Sequence, residues 1–106
     1  MGVDCFAEVK RSELPVFKMS WWGWRPIVWY LEDTCGIADV EEWHVNDGHF
    51  VTAEEAARIG RFLTEKISFG EIRTMQGEDQ HGYALVEQYF KVFAEFCLHS
   101  GGFRNL

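Results

Sequence analysis

The sequence predicts a mainly helical α+β domain: three helices around an aromatic core, with an N-terminal β-hairpin or extended segment laid across it. Three observations predict this. Read at the helical period, Gly82 to Ser100 is apolar over an arc about 200° wide, where a surface helix shows roughly 100° or a little more. Aromatic residues make up 16% of the 106-residue chain, and each ring buries enough surface to fill a small core. Residues 3–10 and 16–21 alternate with period two, the strand signal. A purely helical domain with coil at the front is the alternative. At 106 residues the chain is read as a single domain.

The elements follow in order. Val3, Cys5, Ala7 and Val9 oppose Asp4, Phe6, Glu8 and Lys10, and Phe17, Met19 and Trp21 oppose Val16, Lys18 and Ser20. The polar stretch RSELP between them suits a turn, and such a hairpin needs a helix to lie on. A first helix is expected from about Arg25 to Cys35. Pro26 suits the first helical position and Gly36 the left-handed cap. Ile27, Val28, Tyr30, Leu31 and Cys35 form its inner stripe, and Trp29 falls opposite, flanked by Glu32 and Asp33. Packing within a helix pair does not explain Trp29; folding of the 37–50 loop over it would.

Residues 37–50 hold no period, and Asn46-Asp47-Gly48 is turn chemistry. Thr52-Ala53-Glu54-Glu55 is a capping box that opens a second helix, about 53–67. Ala56, Ile59, Leu63 and Ile67 are its seam, with Phe62 beside it. Gly60 costs up to ~1 kcal/mol relative to Ala in mid-helix, so a neighbouring helix is expected to approach closely there. Residues 68–79 read as a loop. The third helix is capped by Asp79, spans about 80–100 and ends at Gly101-Gly102, with Phe103 folded back over its last turn.

Charge narrows the function. From Pro26 to Ala57 there are eight acids and no Lys or Arg, while the rest of the chain holds nine acids and ten bases. The whole negative excess therefore sits in one block. Phosphate repulsion argues against a nucleic-acid partner, and a basic protein or a cation is favoured. No apolar run reaches the ~18 residues of a membrane span, so no membrane partner is expected. Asp4 and Glu8 stand where a secretory signal would be basic or apolar. The three cysteines, Cys5, Cys35 and Cys97, are spaced far apart with no CxxC, which points to reduced thiols and a cytoplasmic protein.

Few constellations carry chemistry. His44, Asp47 and His49, preceded by Glu41 and Glu42, are the only clustered metal ligands, of the imidazole and carboxylate type that suits Zn²⁺. HxxDxH has no fixed geometry, and solvated loop residues are the plainer reading. Aligning Asp47-Gly48 with a Ca²⁺ loop puts Trp43 and Val45 at ligand positions, so that motif fails. Cys97 and Cys35 lie on apolar stripes and are read as inert thiols, and no nucleophile elbow or phosphate-binding glycine loop is present. No catalytic residue is assigned and no cofactor is expected. In WWGWRP, Trp21 or Trp22 is expected in the core, with Trp24 and Arg25 left open.

WGWRP near the start, NDG before a capped helix and FAEFCLHSGGF at the end resemble a group of small, functionally uncharacterised bacterial and phage-associated proteins. The resemblance covers about residues 17–103. It implies a small soluble accessory protein, and no activity, ligand or site residue comes with it. The residues themselves point to a non-enzymatic binding or regulatory module, presenting an acidic, Trp-bearing face to a basic protein partner. That face comprises Trp29, Glu32, Asp33, Glu41, Glu42 and Trp43. The alternatives are a metal-binding protein or small hydrolase using His44, Asp47 and His49, and a homodimer formed through exposed Trp.

Overall fold

The computed structural model describes residues 2–8, 16–37, 40–44, 48–72 and 87–105. Their order is β1 (Gly2–Ala7), β2 (Val16–Ser20), α1 (Trp21–Thr34), α2 (Val40–Trp43), β3 (His49–Val51), α3 (Ala53–Ser68), α4 (Glu87–Ser100) and β4 (Phe103–Asn105). The strands form one antiparallel sheet in the order β2-β1-β4-β3, so the fold is α+β with four helices and four strands among the described residues.

The expected hairpin is present: β1 pairs with β2, and Cys5 sits opposite Phe17. It forms one half of a larger sheet. Phe103 does not simply fold back over the last turn; with Arg104 and Asn105 it makes β4, which joins β1 to β3. Period two turns Val3, Cys5, Phe17, Val51, Phe103 and Asn105 inward, all buried, and leaves Phe6, Lys18, Phe50 and Arg104 on the exposed outer face. The helices cover the inner face.

Helix α1 starts at Trp21, four residues before the expected Arg25. Ser20 is the cap, its hydroxyl accepting from Gly23 N at 3.4 Å. Pro26 is therefore the sixth helical residue rather than the first, and the N–H that would bond the Trp22 carbonyl is missing. Gly36 ends the helix as expected, at φ +66, its N–H donating to the Leu31 carbonyl at 2.9 Å. Helix α3 begins at the predicted cap, where Thr52 Oγ1 accepts from Glu55 N at 3.2 Å. It packs chiefly on α4. A Cβ on Gly60 would lie 2.8 Å from Leu98 Cγ and 3.1 Å from the Ala94 carbonyl oxygen, so the expected close approach is real. The stretch 37–50, read as a loop, contains the one-turn helix α2 and the start of β3. The expected turn at 11–15, Asn46 and Asp47, Asp79, and the first turns of the third helix lie outside the described residues.

The core is aromatic, as predicted, with Phe93 of α4 near its centre. Its ring lies 5.2 Å from Phe17, 5.3 Å from Trp24, 6.0 Å from Phe103 and 6.4 Å from Trp43. The last three are edge-on, the geometry aromatic quadrupoles favour. Trp24, left open by the sequence, is fully buried; Trp21 is half-buried, with the Arg25 guanidinium 5.0 Å above its ring. No helix among the described residues is long and apolar enough to cross a membrane.

Candidate acidic face on the first two helices

Trp29, Glu32 and Asp33 are spaced three and four residues apart, so they share one side of α1. Glu32 and Asp33 are exposed, and Trp29 is half-buried. The Trp29 ring lies 5.7 Å from that of His44, just past the end of α2, so this residue of the 37–50 stretch packs against it. Glu41 and Glu42 are both exposed on α2. Each pair of acids lies within about four residues along the chain of the Trp29–His44 contact, a helical rise of only ~6 Å.

Trp43 is a correction. Sequence reading placed it on the acidic face, but it is 1% exposed. Its indole stacks on Trp24 at 5.9 Å and 15° and meets Phe103 edge-on at 6.0 Å. Its main-chain carbonyl accepts from Trp24 Nε1 at 2.6 Å and from Asn105 Nδ2 at 3.2 Å. The polar neighbours Glu42 and His44 hid this burial, since a single turn carries no period to read. Trp43 is the anchor that holds α2 down, and that anchoring turns Glu41 and Glu42 outward. Trp24 and Asn105 supply the donors, and sequence reading missed both roles. Trp24 sits three and four residues from the inner positions Ile27 and Val28, a spacing that marks it as inward-facing; Asn105 gave no signal.

Glu42 has a second task. Its carboxylate lies 2.7 Å from His49 Nδ1, with the imidazole only 12% exposed and the acid 55% exposed. A carboxylate only accepts, so Nδ1 carries a proton, and in the neutral ring Nε2 would then hold the lone pair. The carboxylates of Glu32 and Glu41 make no ion pair or hydrogen bond among the described residues, which leaves their charges to solvent.

Two of the three expected metal ligands, His44 and His49, lie within the described residues. His44 lies against Trp29, while His49 turns to Glu42 and to Trp43, 6.2 Å away; Asp47 is outside the described residues. No group of three or more His, Cys, Asp or Glu among the described residues is placed to hold a metal ion.

Of the two thiols read as inert, Cys97 behaves as read. Burial pushes Cys97 well above the ordinary thiol range, helped by the neighbouring Cys5, and burial pushes Cys5 up likewise, with Asp4 adding to it. Cys35 differs from expectation: it is only half-buried, and Arg58 donates to its sulfur at 3.2 Å and to its carbonyl at 3.3 Å. A groove of about 330 Å³ between α3 and α4, lined by Thr64, Ile67, Ser68, Lys91, Ala94 and Glu95, shares no residue with the acidic face. Comparison with known protein families, curated proteins and solved structures finds no match for this chain.

Proposed function

We propose that this protein is a non-enzymatic binding module whose acidic face, Trp29, Glu32, Asp33, Glu41 and Glu42, docks a basic protein partner. The observation that carries the reading is the Trp29–His44 ring contact at 5.7 Å, which joins the acid-bearing side of α1 to the acid-bearing turn of α2. The interval from Pro26 to Ala57 holds eight acids and no Lys or Arg, which gives a field of one sign. Such a field speeds encounter with a cationic surface and weakens with salt. The half-buried indole supplies an aromatic contact of the kind found at interface centres. Trp43 is not part of this face; it holds the face in place.

Glu32 and Glu41 are the residues to reverse, because Glu42 also holds His49. Native lysate is passed over wild-type protein and over Glu32→Lys/Glu41→Lys, and the captured proteins are identified by mass spectrometry. The expected result is a basic protein held by the wild type and lost from the variant, at unchanged melting temperature. Identical capture by both proteins would end the proposal.

A further inference from the structure

Three polar atoms at the junction of α2 and the sheet are buried and have no hydrogen-bond partner among the described residues: Trp43 Nε1, His49 Nε2 and Asn105 Oδ1. Their groups are neighbours. The Trp43 and His49 rings are 6.2 Å apart, His49 and Asn105 are directly opposed across β3 and β4, and Asn105 Nδ2 reaches the Trp43 carbonyl at 3.2 Å. Directly opposed residues on one face of a sheet bring their Cβ atoms to about 5 Å.

The hydrogen-bonding capacity of each atom is fixed by its other contacts. Trp43 Nε1 is a donor only. Asn105 must turn its amino group to the Trp43 carbonyl, which can only accept, so Oδ1 is the acceptor and the amide cannot be flipped. His49 Nδ1 donates to Glu42, so whenever the ring is neutral Nε2 is a second acceptor. One donor therefore faces two acceptors. Any direct pairing among the three leaves an acceptor orphaned in the core, the arrangement folded proteins avoid.

We propose that Trp43 Nε1, His49 Nε2 and Asn105 Oδ1 together hold one buried water molecule, which accepts from the indole and donates to the imidazole and the amide oxygen. Three bonds are the usual complement of a buried water. The same molecule serves both charge states of His49. When Nε2 gains a proton, the water accepts from it as well as from Trp43 and still donates to Asn105. The water thus joins α2, β3 and β4 where Trp43 is anchored, independently of whether the acidic face binds a partner.

Nuclear magnetic resonance of the ¹⁵N-labelled wild-type chain tests this directly. The Trp43 indole proton is expected to show cross-relaxation with water, of opposite sign in the laboratory and rotating frames, as a long-resident molecule produces. In the neutral ring the His49 nitrogen shifts are expected to show a protonated Nδ1 and an unprotonated Nε2. A through-bond coupling from Trp43 Nε1–H to His49 Nε2 would overturn the proposal. So would a protonated Nε2 in the neutral ring, or an indole proton without the water cross-peak.

Discussion

Trp24 Nε1 donates to the main-chain carbonyl of Trp43 at 2.6 Å, and the two indoles stack 5.9 Å apart. One pair therefore fastens the middle of α1 to the end of α2 by both a hydrogen bond and a ring contact. Replacing Trp24 by Phe deletes the donor and part of the ring. Asn105 Nδ2 remains on the same carbonyl, so no acceptor is orphaned. The expected loss is about 2–3 kcal/mol, from the cavity and one hydrogen bond. Trp29→Phe, at a half-buried ring on the outer side, should cost under about 1 kcal/mol. Urea unfolding of both variants checks the order, and a reversal would remove Trp24 from the centre of the core.

The junction of α4 and β4 depends on Gly102. Its φ is +97, and a Cβ there would lie 2.9 Å from the Val51 carbonyl oxygen and 3.0 Å from Ala53 N, both backbone atoms that cannot rotate away. Gly102→Ala is expected to cost about 3 kcal/mol, combining left-handed strain with displacement of the β3–α3 connection. Gly36→Ala is the control, since it has φ +66 but nothing within 4 Å. It should cost only about 1 kcal/mol, the intrinsic penalty of that backbone region. Equal losses in thermal melts would show that the crowding at Gly102 is without consequence.

At Gly60 two effects oppose each other. Alanine gains about 1 kcal/mol of helix propensity but drives its methyl into Leu98 and the Ala94 carbonyl. Overpacking of this kind costs about 1–3 kcal/mol, so Gly60→Ala is expected to lose about 1 kcal/mol net. Leu98 is 40% exposed, so trimming it to Ala relieves the clash at modest cost. In a Leu98→Ala background the Gly60→Ala change should become neutral or stabilising, a coupling of at least about 1 kcal/mol. Additive losses would mean that the helices adjust freely.

Gly60 also shows what the sequence made legible. A glycine that interrupts a strong helical stripe needs a reason, and close packing of α3 on α4 is that reason. The Thr52 cap, the Gly36 and Gly101-Gly102 ends and the β1–β2 alternation were legible because each has a local physical cause. The rest lacked one. β3 and β4 have three residues each, too few to show a period, and their pairing joins positions more than fifty residues apart. Pro26 pointed to a helix start that Ser20 supplies earlier, because proline is favoured at a first turn without being confined to it. On the candidate face, the exposure of Glu32, Asp33, Glu41 and Glu42 followed from their charge. The burial of Trp43 depends on Trp24, Phe103 and Asn105, which no local reading brings to it.

The buried thiols make a prediction about pH whose sign is fixed by burial. Cys5 and Cys97 are held protonated in the fold, so the folded chain binds these protons more tightly than the unfolded one. Their contribution is constant below the unfolded thiol pKa of about 8.5 and is lost as pH rises above it, toward folded values well up the alkaline range. Each thiol adds a downward slope of about 1.4 kcal/mol per pH unit. The Tyr30 phenol, also pushed up by burial, adds its own slope only above about pH 10. Urea unfolding between about pH 7 and about pH 9.5 therefore isolates the thiols. Cys97→Ala lowers stability throughout by leaving a small cavity, but it should halve the alkaline slope. A thiol reagent at pH 8 should modify half-buried Cys35 first and reach the other two only as the chain unfolds. If the slope is unchanged by Cys97→Ala, or Cys97 reacts as fast as Cys35, then α4 is not sealed against the sheet at that position.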